Sequence, residues 1–310
     1  MGSPAATVED FRGEFSGRKF LRRLRAGDQI AWLITAGAAA MVFVITALLV
    51  YELYNSSALS RMKFGWSFLS GQIWDPVAGE FGALPFIYGT IMTSALALMM
   101  AVPLGVGAAV FLSELAPPRI SDGLTFIVEL LAAVPSVIYG LLGIFILVPI
   151  MRQLGAPYGV GIMTAAVVLA IMILPFIVSI SREALMSVPR EQREAALALG
   201  ATRWEATWQV VVPYAKLGIF GSVFLALARA LGETMAVTMV IGNNPRIDPS
   251  PLAPGYSIAA VIANEFTEAT DDLHLSALIE LGLVLFAITI LLNGLARLLI
   301  LTTKRRGAEQ

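Results

Sequence analysis

The chain has 310 residues, 57% of them hydrophobic and only 14% charged, with a net charge of −1 and a mean hydropathy of +0.79. Soluble domains average roughly 25% charged residues, so a chain this apolar would expose large sticky patches in water. The small net charge removes any global pull toward nucleic acid, the absence of cysteine excludes a disulfide framework and thiolate metal sites, and the single histidine, His274, excludes a His-cluster metal centre.

In chain order, a polar stretch over 1–28 precedes six long apolar segments at about 29–54, 84–112, 124–150, 159–181, 210–241 and 275–302, and a short polar tail closes the chain at 303–310. The first segment is too long for a signal-peptide core of roughly 7–15 residues and reads as a retained span. Each segment, if helical, crosses a hydrocarbon core of roughly 30 Å. Helix is expected because backbone groups in lipid must be satisfied within the segment. The runs do not alternate as barrel strands do. The fold class expected is all-α integral membrane with six transmembrane helices.

Lys and Arg set the orientation. With the N-terminus inside, 14 basic residues fall in inner segments and 4 in outer ones, Arg61, Lys63, Arg152 and Arg246. The positive-inside rule then puts both termini in the cytoplasm. The outer loops are 55–83, 151–158 and 242–274. Trp66, Phe68 and Trp74 in the first suit an interfacial belt or a short re-entrant turn. The third carries Pro245, Pro249, Pro251 and Pro254 and starts irregular. His274 reads as a solvated loop residue.

The stretch 187–213 between the fourth and fifth segments is amphipathic and charged. Pro189 fits a helix start, Arg190 to Leu199 is rich in helix formers, and Gly200 fits a C-terminal cap with positive φ. Thr202 and Glu205 have the spacing of a capping box that starts a second helix. A surface helix ending in a forced turn suits docking of a cytoplasmic partner; an ordinary inter-helix loop is the alternative.

The same stretch reads Glu194-Ala195-Ala196, three residues, Gly200, nine residues, then Val210-Val211-Val212-Pro213. It resembles the signature loop of bacterial ABC importer permeases, with Val210 and Val212 in place of Ile and Leu. The resemblance implies that Glu194, Ala195, Ala196, Gly200 and Pro213 shape a coupling helix that enters a cleft on an ATP-hydrolysing subunit. The chain has no Gly-Lys dipeptide and hence no Walker A loop, and no G-x-S-x-G elbow, so it is expected to catalyse no bond chemistry itself.

The fifth segment contains ALARALGETMAVTMVIGN, placing Arg229 and Glu233 mid-membrane and four residues apart, expected on one helix face. A charge at the bilayer centre costs roughly 2.5–3.5 kcal/mol on insertion scales, so such charges pair or face a polar path. Arg229 suits a tetrahedral oxyanion, with Glu233 holding it and moderating its affinity; an ion pair without ligand is the alternative. Glu129, in the third segment ahead of Pro135, either lines the path or hydrogen-bonds a neighbouring helix.

AVPSVIYGLLGIF, FLSELAP, REALMSVPREQREAALALGA and ARALGETMAVTMVIGN together resemble the C-type permease subunits of phosphate-specific ABC importers, over about 84–302. The resemblance implies a type I importer fold with a five-helix core at 84–302, flanked by the first span. It implies a second, similar permease subunit, two ATP-binding subunits that carry ATP and Mg, and an extracytoplasmic phosphate-binding protein. It also implies that Arg229 and Glu233 act in phosphate transport. A permease for sulfate or molybdate is the near alternative, and an ATP-independent channel or uniporter the distant one.

Overall fold

The computed structural model describes the backbone of residues 28–308 and the side chains of 30–295, 297 and 298. The tail expected over 1–28 lies, Asp28 apart, outside the described residues. Two units are delimited, Met1–Glu52 and Leu53–Gln310.

The elements are α1 (Asp28–Ser56), α2 (Ala58–Phe64), α3 (Ser67–Ser70), β1 (Trp74–Asp75), β2 (Glu80–Phe81), α4 (Leu84–Val110), α5 (Pro118–Ala133), α6 (Ser136–Leu142), α7 (Val148–Gln153), α8 (Ile162–Met186), α9 (Arg190–Ala198), α10 (Arg203–Ala206), α11 (Val212–Leu231), α12 (Met235–Val240), α13 (Ile258–Glu265) and α14 (Asp272–Ala308). Helix α14 continues through the first part of the tail expected at 303–310.

Among the described residues, six helices are long and apolar enough to cross a membrane: Ile30–Ser56, Leu84–Leu115, Ser136–Gln153, Ile162–Met186, Arg203–Leu231 and Asp272–Leu295. The number agrees with the hydropathy reading; the largest differences are at the start of the third span and the end of the fifth. The third segment was expected to start at 124. Instead α5 ends at Ala133, Val134 is extended with ψ 129°, and Pro135 opens α6. The ring of a proline crowds the residue before it out of helical geometry, so the chain turns there. The fifth segment was expected to run unbroken to 241. It stops at Leu231, with Gly232 closing α11, and restarts at Met235.

Among the described residues, three π turns, Phe111–Leu115, Gly143–Leu147 and Thr207–Val211, share one cause. Each ends two residues before a proline: Pro117, Pro149 and Pro213. In each, the residue just before the proline donates its N–H five residues back: Ala116 to Phe111, Val148 to Gly143, and Val212 to Thr207. A proline has no N–H and its ring crowds the carbonyl four residues back, so widening the preceding turn relieves both problems.

Small residues let the spans pack closely, as expected where lipid gives no hydrophobic drive. The central core joins Ala97 and Ala101 of α4, Leu169, Ile173 and Ile177 of α8, Ala226 and Ala230 of α11, and Val237 of α12. Gly105 abuts Ile177, where an added Cβ would lie 2.7 Å from Cγ2. A second cluster, Ala109, Leu185, Val188, Val211 and Ala215, lies at the end of the bundle that carries α9.

The opposite end holds Phe68, Phe81, Phe86, Tyr256, Leu278 and Leu281. There β1 and β2 form a hairpin, its turn closed by Asp75 Oδ1 accepting from the N–H groups of Val77 and Ala78. Of the aromatics assigned to an interfacial belt or re-entrant turn, Trp66 is exposed, Phe68 is fully buried, and Trp74 donates to Glu265 Oε2 at 2.9 Å. His274 is also buried rather than solvated. Its Nε2 meets Glu265 Oε2 at 3.0 Å and Phe81 stacks on its ring, so the hairpin and α13 cover it. Burial pushes the Tyr256 phenol up to about 12. The proline-rich segment before Tyr256 is irregular, as expected, and supplies carbonyls of Ala253 and Pro251 to the N–H groups of Ile162 and Met163 at the start of α8.

Candidate functional site

The loop between the fourth and fifth spans has the conformation its residues dictate. Pro189 precedes α9 in extended geometry, and the helix lasts nine residues. Gly200 has φ +89°, its N–H donates to the Leu197 carbonyl at 3.0 Å, and the Ala201 N–H donates to the Ala196 carbonyl at 3.2 Å. Those two bonds make a Schellman motif, which requires a left-handed residue at the glycine position. Thr202 and Glu205 then close a capping box: the Glu205 N–H donates to Thr202 Oγ1 at 3.3 Å, and the Thr202 N–H to Glu205 Oε2 at 2.7 Å. Both stop and start signals were readable in the sequence.

Glu194, Ala195 and Gly200 are exposed, whereas Ala196 faces inward. Leu199 is 90% exposed, and Trp204 and Trp208, an edge-to-face pair with centroids 5.5 Å apart, are also exposed. The turn therefore presents apolar and acidic groups outward. Pro213, exposed near the start of α11, sets the π turn at 207–211.

The sequence reading missed what holds α9 in place. Arg193 lies one turn from Ala196 on the inward face. Its Nη2 and Nε donate to Glu114 Oε1 and Oε2 at 2.9 and 3.2 Å, a bidentate pair. Nη2 also donates to the Leu185 carbonyl at 2.7 Å, and Nη1 donates to that of Val188. The pair is largely shielded, with side chains 22% and 10% exposed. Glu114 sits in the π turn that ends the second span. Its signals were an acid closing an apolar run and an arginine beside Glu194, but 79 residues separate them and no spacing rule joins them.

Arg229 occupies the last turn of α11, with its guanidinium carbon 4.4 Å from the Phe176 ring centroid. Phe176 follows Pro175 in α8. The guanidinium is thus held against the ring by a cation–π contact. Tyr139 on α6 lies within electrostatic reach of Arg229, and its hydroxyl donates to the Leu131 carbonyl at 2.7 Å.

Glu233 does not share a helix face with Arg229, because the helix breaks at Gly232 between them. Its Oε1 instead accepts from the Ala236 N–H at 3.2 Å, at the start of α12. Among the described residues, Arg229 and Glu233 form no ion pair with each other. Glu129 lies exposed on α5, outside the third span in which it was expected. Among the described residues no group of three or more His, Asp or Glu side chains converges to hold a metal.

Residues 101–305 match the family of binding-protein-dependent transport system inner membrane components. The chain belongs to that family. It is a permease subunit of the ABC transporters, in which a separate subunit hydrolyses ATP, and it is not itself an enzyme. The permease is 45% identical to the phosphate transport system permease protein PstC of Mesorhizobium japonicum, over 92% of this chain and 94% of that one. It is also 45% identical to PstC of Haemophilus influenzae, over 86% and 90%. The probable PstC of Methanocaldococcus jannaschii is 33% identical over 89% and 93%.

Among solved structures, the permease aligns with a bacterial alginate ABC transporter in complex with a pentasaccharide-bound periplasmic protein. The TM-score is 0.61 at 17% identity, covering 90% of this chain and 98% of that one. It aligns with the inward-facing MetNI methionine ABC transporter at a TM-score of 0.58 and 17% identity, covering 74% and 99%. The fold is that of the type I ABC importer permeases.

Proposed function

We propose that this permease is the membrane-spanning subunit of an ATP-driven importer of inorganic phosphate, and that it couples its half of the path to a partner ATPase. The observation that carries the substrate is the 45% identity to PstC of Mesorhizobium japonicum along nearly the whole length of both chains. The coupling role is supported by α9, a short outward-facing helix closed by the Gly200 turn. In this reading residues 84–302 form the permease core, and both termini lie in the cytoplasm of a bacterial plasma membrane. A second, homologous permease completes the path. Two ATP-binding subunits holding ATP and Mg dock on the coupling helices, and a phosphate-binding protein docks on the hairpin end.

ATP binding draws the ATPases together, the coupling helices follow, and the path opens outward to receive the anion; hydrolysis resets it. Arg229 supplies the fixed positive charge on that path. Its planar fork matches two oxygens of a tetrahedral anion. Glu233, beyond the helix break, keeps the anion from binding too tightly to leave. Glu129 joins the path as an exposed side chain on α5.

The test is ATPase stimulation of the reconstituted complex by loaded binding protein. Phosphate-loaded protein stimulates hydrolysis and sulfate does not. Equal stimulation by both moves the substrate to another oxyanion, and conduction by the purified chain alone replaces an importer with a channel. For the topology, a cysteine near Asp248 is labelled from outside; labelling only from the cytoplasm overturns it.

A further inference from the structure

We propose that the Glu114–Arg193 pair is the link through which movement of the coupling helix reaches the second and fourth spans, which makes Glu114 a positioning residue for coupled transport. The proposal rests on reading α9 as the ATPase-docking helix.

Helix α9 has nine residues, too few to be stable alone in water. A push on its outer face moves the spans only if its inner face is fastened to them. Ala196 offers one methyl group for that purpose. Arg193 offers four hydrogen bonds, two to Glu114 and two to the Leu185 and Val188 carbonyls where α8 ends. Three pieces of the molecule therefore meet on one guanidinium: the coupling helix, the end of the fourth span, and the end of the second.

The fork geometry resists rotation as well as separation, because two parallel N–H···O bonds fix the plane of the carboxylate. Glu114 is itself braced. It lies within the π turn closed by the Ala116 N–H to the Phe111 carbonyl, and Ser121 Oγ donates to the Leu112 carbonyl at 2.7 Å, tying α5 to the same turn. Helix α4 packs along α8, so a displacement imposed on Glu114 and on the end of α8 moves both spans together.

The absence of cysteine in this chain makes the link replaceable. Glu114→Cys/Arg193→Cys is placed in the full importer with its ATPase and binding protein, in proteoliposomes, with single-cysteine variants as controls. The expected result is that the double variant retains the ATPase but loses phosphate uptake per ATP by about tenfold, within the usual range of coupling between sites. A short bis-methanethiosulfonate cross-linker then restores uptake, and a reductant removes it again.

Parent-level uptake in the uncrosslinked variant overturns the proposal, as does a cross-link that leaves uptake low or lowers it further. Should the double variant fail to assemble, Glu114→Gln, which keeps the shape but weakens the fork, decides instead: uptake per ATP falls while the ATPase stays bound. Unchanged uptake refutes the link. Failure of the docking reading is distinguished separately, by an ATPase that binds equally well when the outward face of α9 is changed.

Discussion

Gly200 isolates one physical effect. Its φ of +89° is left-handed, yet nothing lies within 4 Å of the position an added Cβ would take. A substitution there meets no steric wall, so its whole cost is backbone strain. For an L-residue that strain is roughly 1–2 kcal/mol, less for Asn and more for a β-branched side chain. A loss of about 1 kcal/mol shifts a two-state balance roughly fivefold, and α9 has little stability in reserve. Retention of the ATPase and phosphate uptake should therefore fall in the order Gly, Asn, Ala, Val, with Gly200→Val uncoupled or free of the ATPase. Co-purification of the ATPase with each variant, alongside hydrogen exchange of the α9 amides, reads both ends of the argument. Equal retention and uptake across the series would refute it, because strain would then have no bearing on docking.

At Arg229, Gln should abolish phosphate uptake with assembly intact, and normal uptake would remove the residue from the path. Lys keeps the charge but loses the fork and much of the contact with Phe176, worth about 0.5–2 kcal/mol, so uptake should drop but remain measurable in transport assays. Glu233→Ala removes the acceptor of the Ala236 N–H and should lower the melting temperature of the purified complex, by a free energy of about 1 kcal/mol; Glu233→Gln, which keeps an acceptor, should not. Gly89→Ala drives a methyl group into the Tyr256 carbonyl oxygen and should destabilise by about 1–3 kcal/mol in the same melting assay.

The six spans and the loop at 187–213 were legible because their signals are local. Apolar length marks a span, and Gly200, Thr202 and Glu205 each act on backbone within a few residues. The breaks at Pro135 and Gly232 were harder, since apolar residues resume after both and a proline within a membrane helix is often tolerated. The Arg229–Glu233 spacing was right for a continuous helix and wrong for this one, because the glycine between them ends it. His274 was misjudged because its cover comes from the distant Trp74 and Phe81, with Glu265 folding back from nine residues earlier. Glu114 and Arg193 were invisible for the same reason.

The prolines also act as phase shifters. Each π turn holds one more residue than the α-helix would use, and a single residue is worth 100° of azimuth and 1.5 Å of rise. The Thr207–Val211 turn lies between α9 and Arg229. The direction in which Arg229 points, relative to the surface an ATPase would grip, is thus set by Pro213 some sixteen positions earlier. Replacing Pro213 and letting the turn relax would swing the arginine off its bearing without touching it. Deleting one residue from 207–211 in the same chain would bring it back into phase.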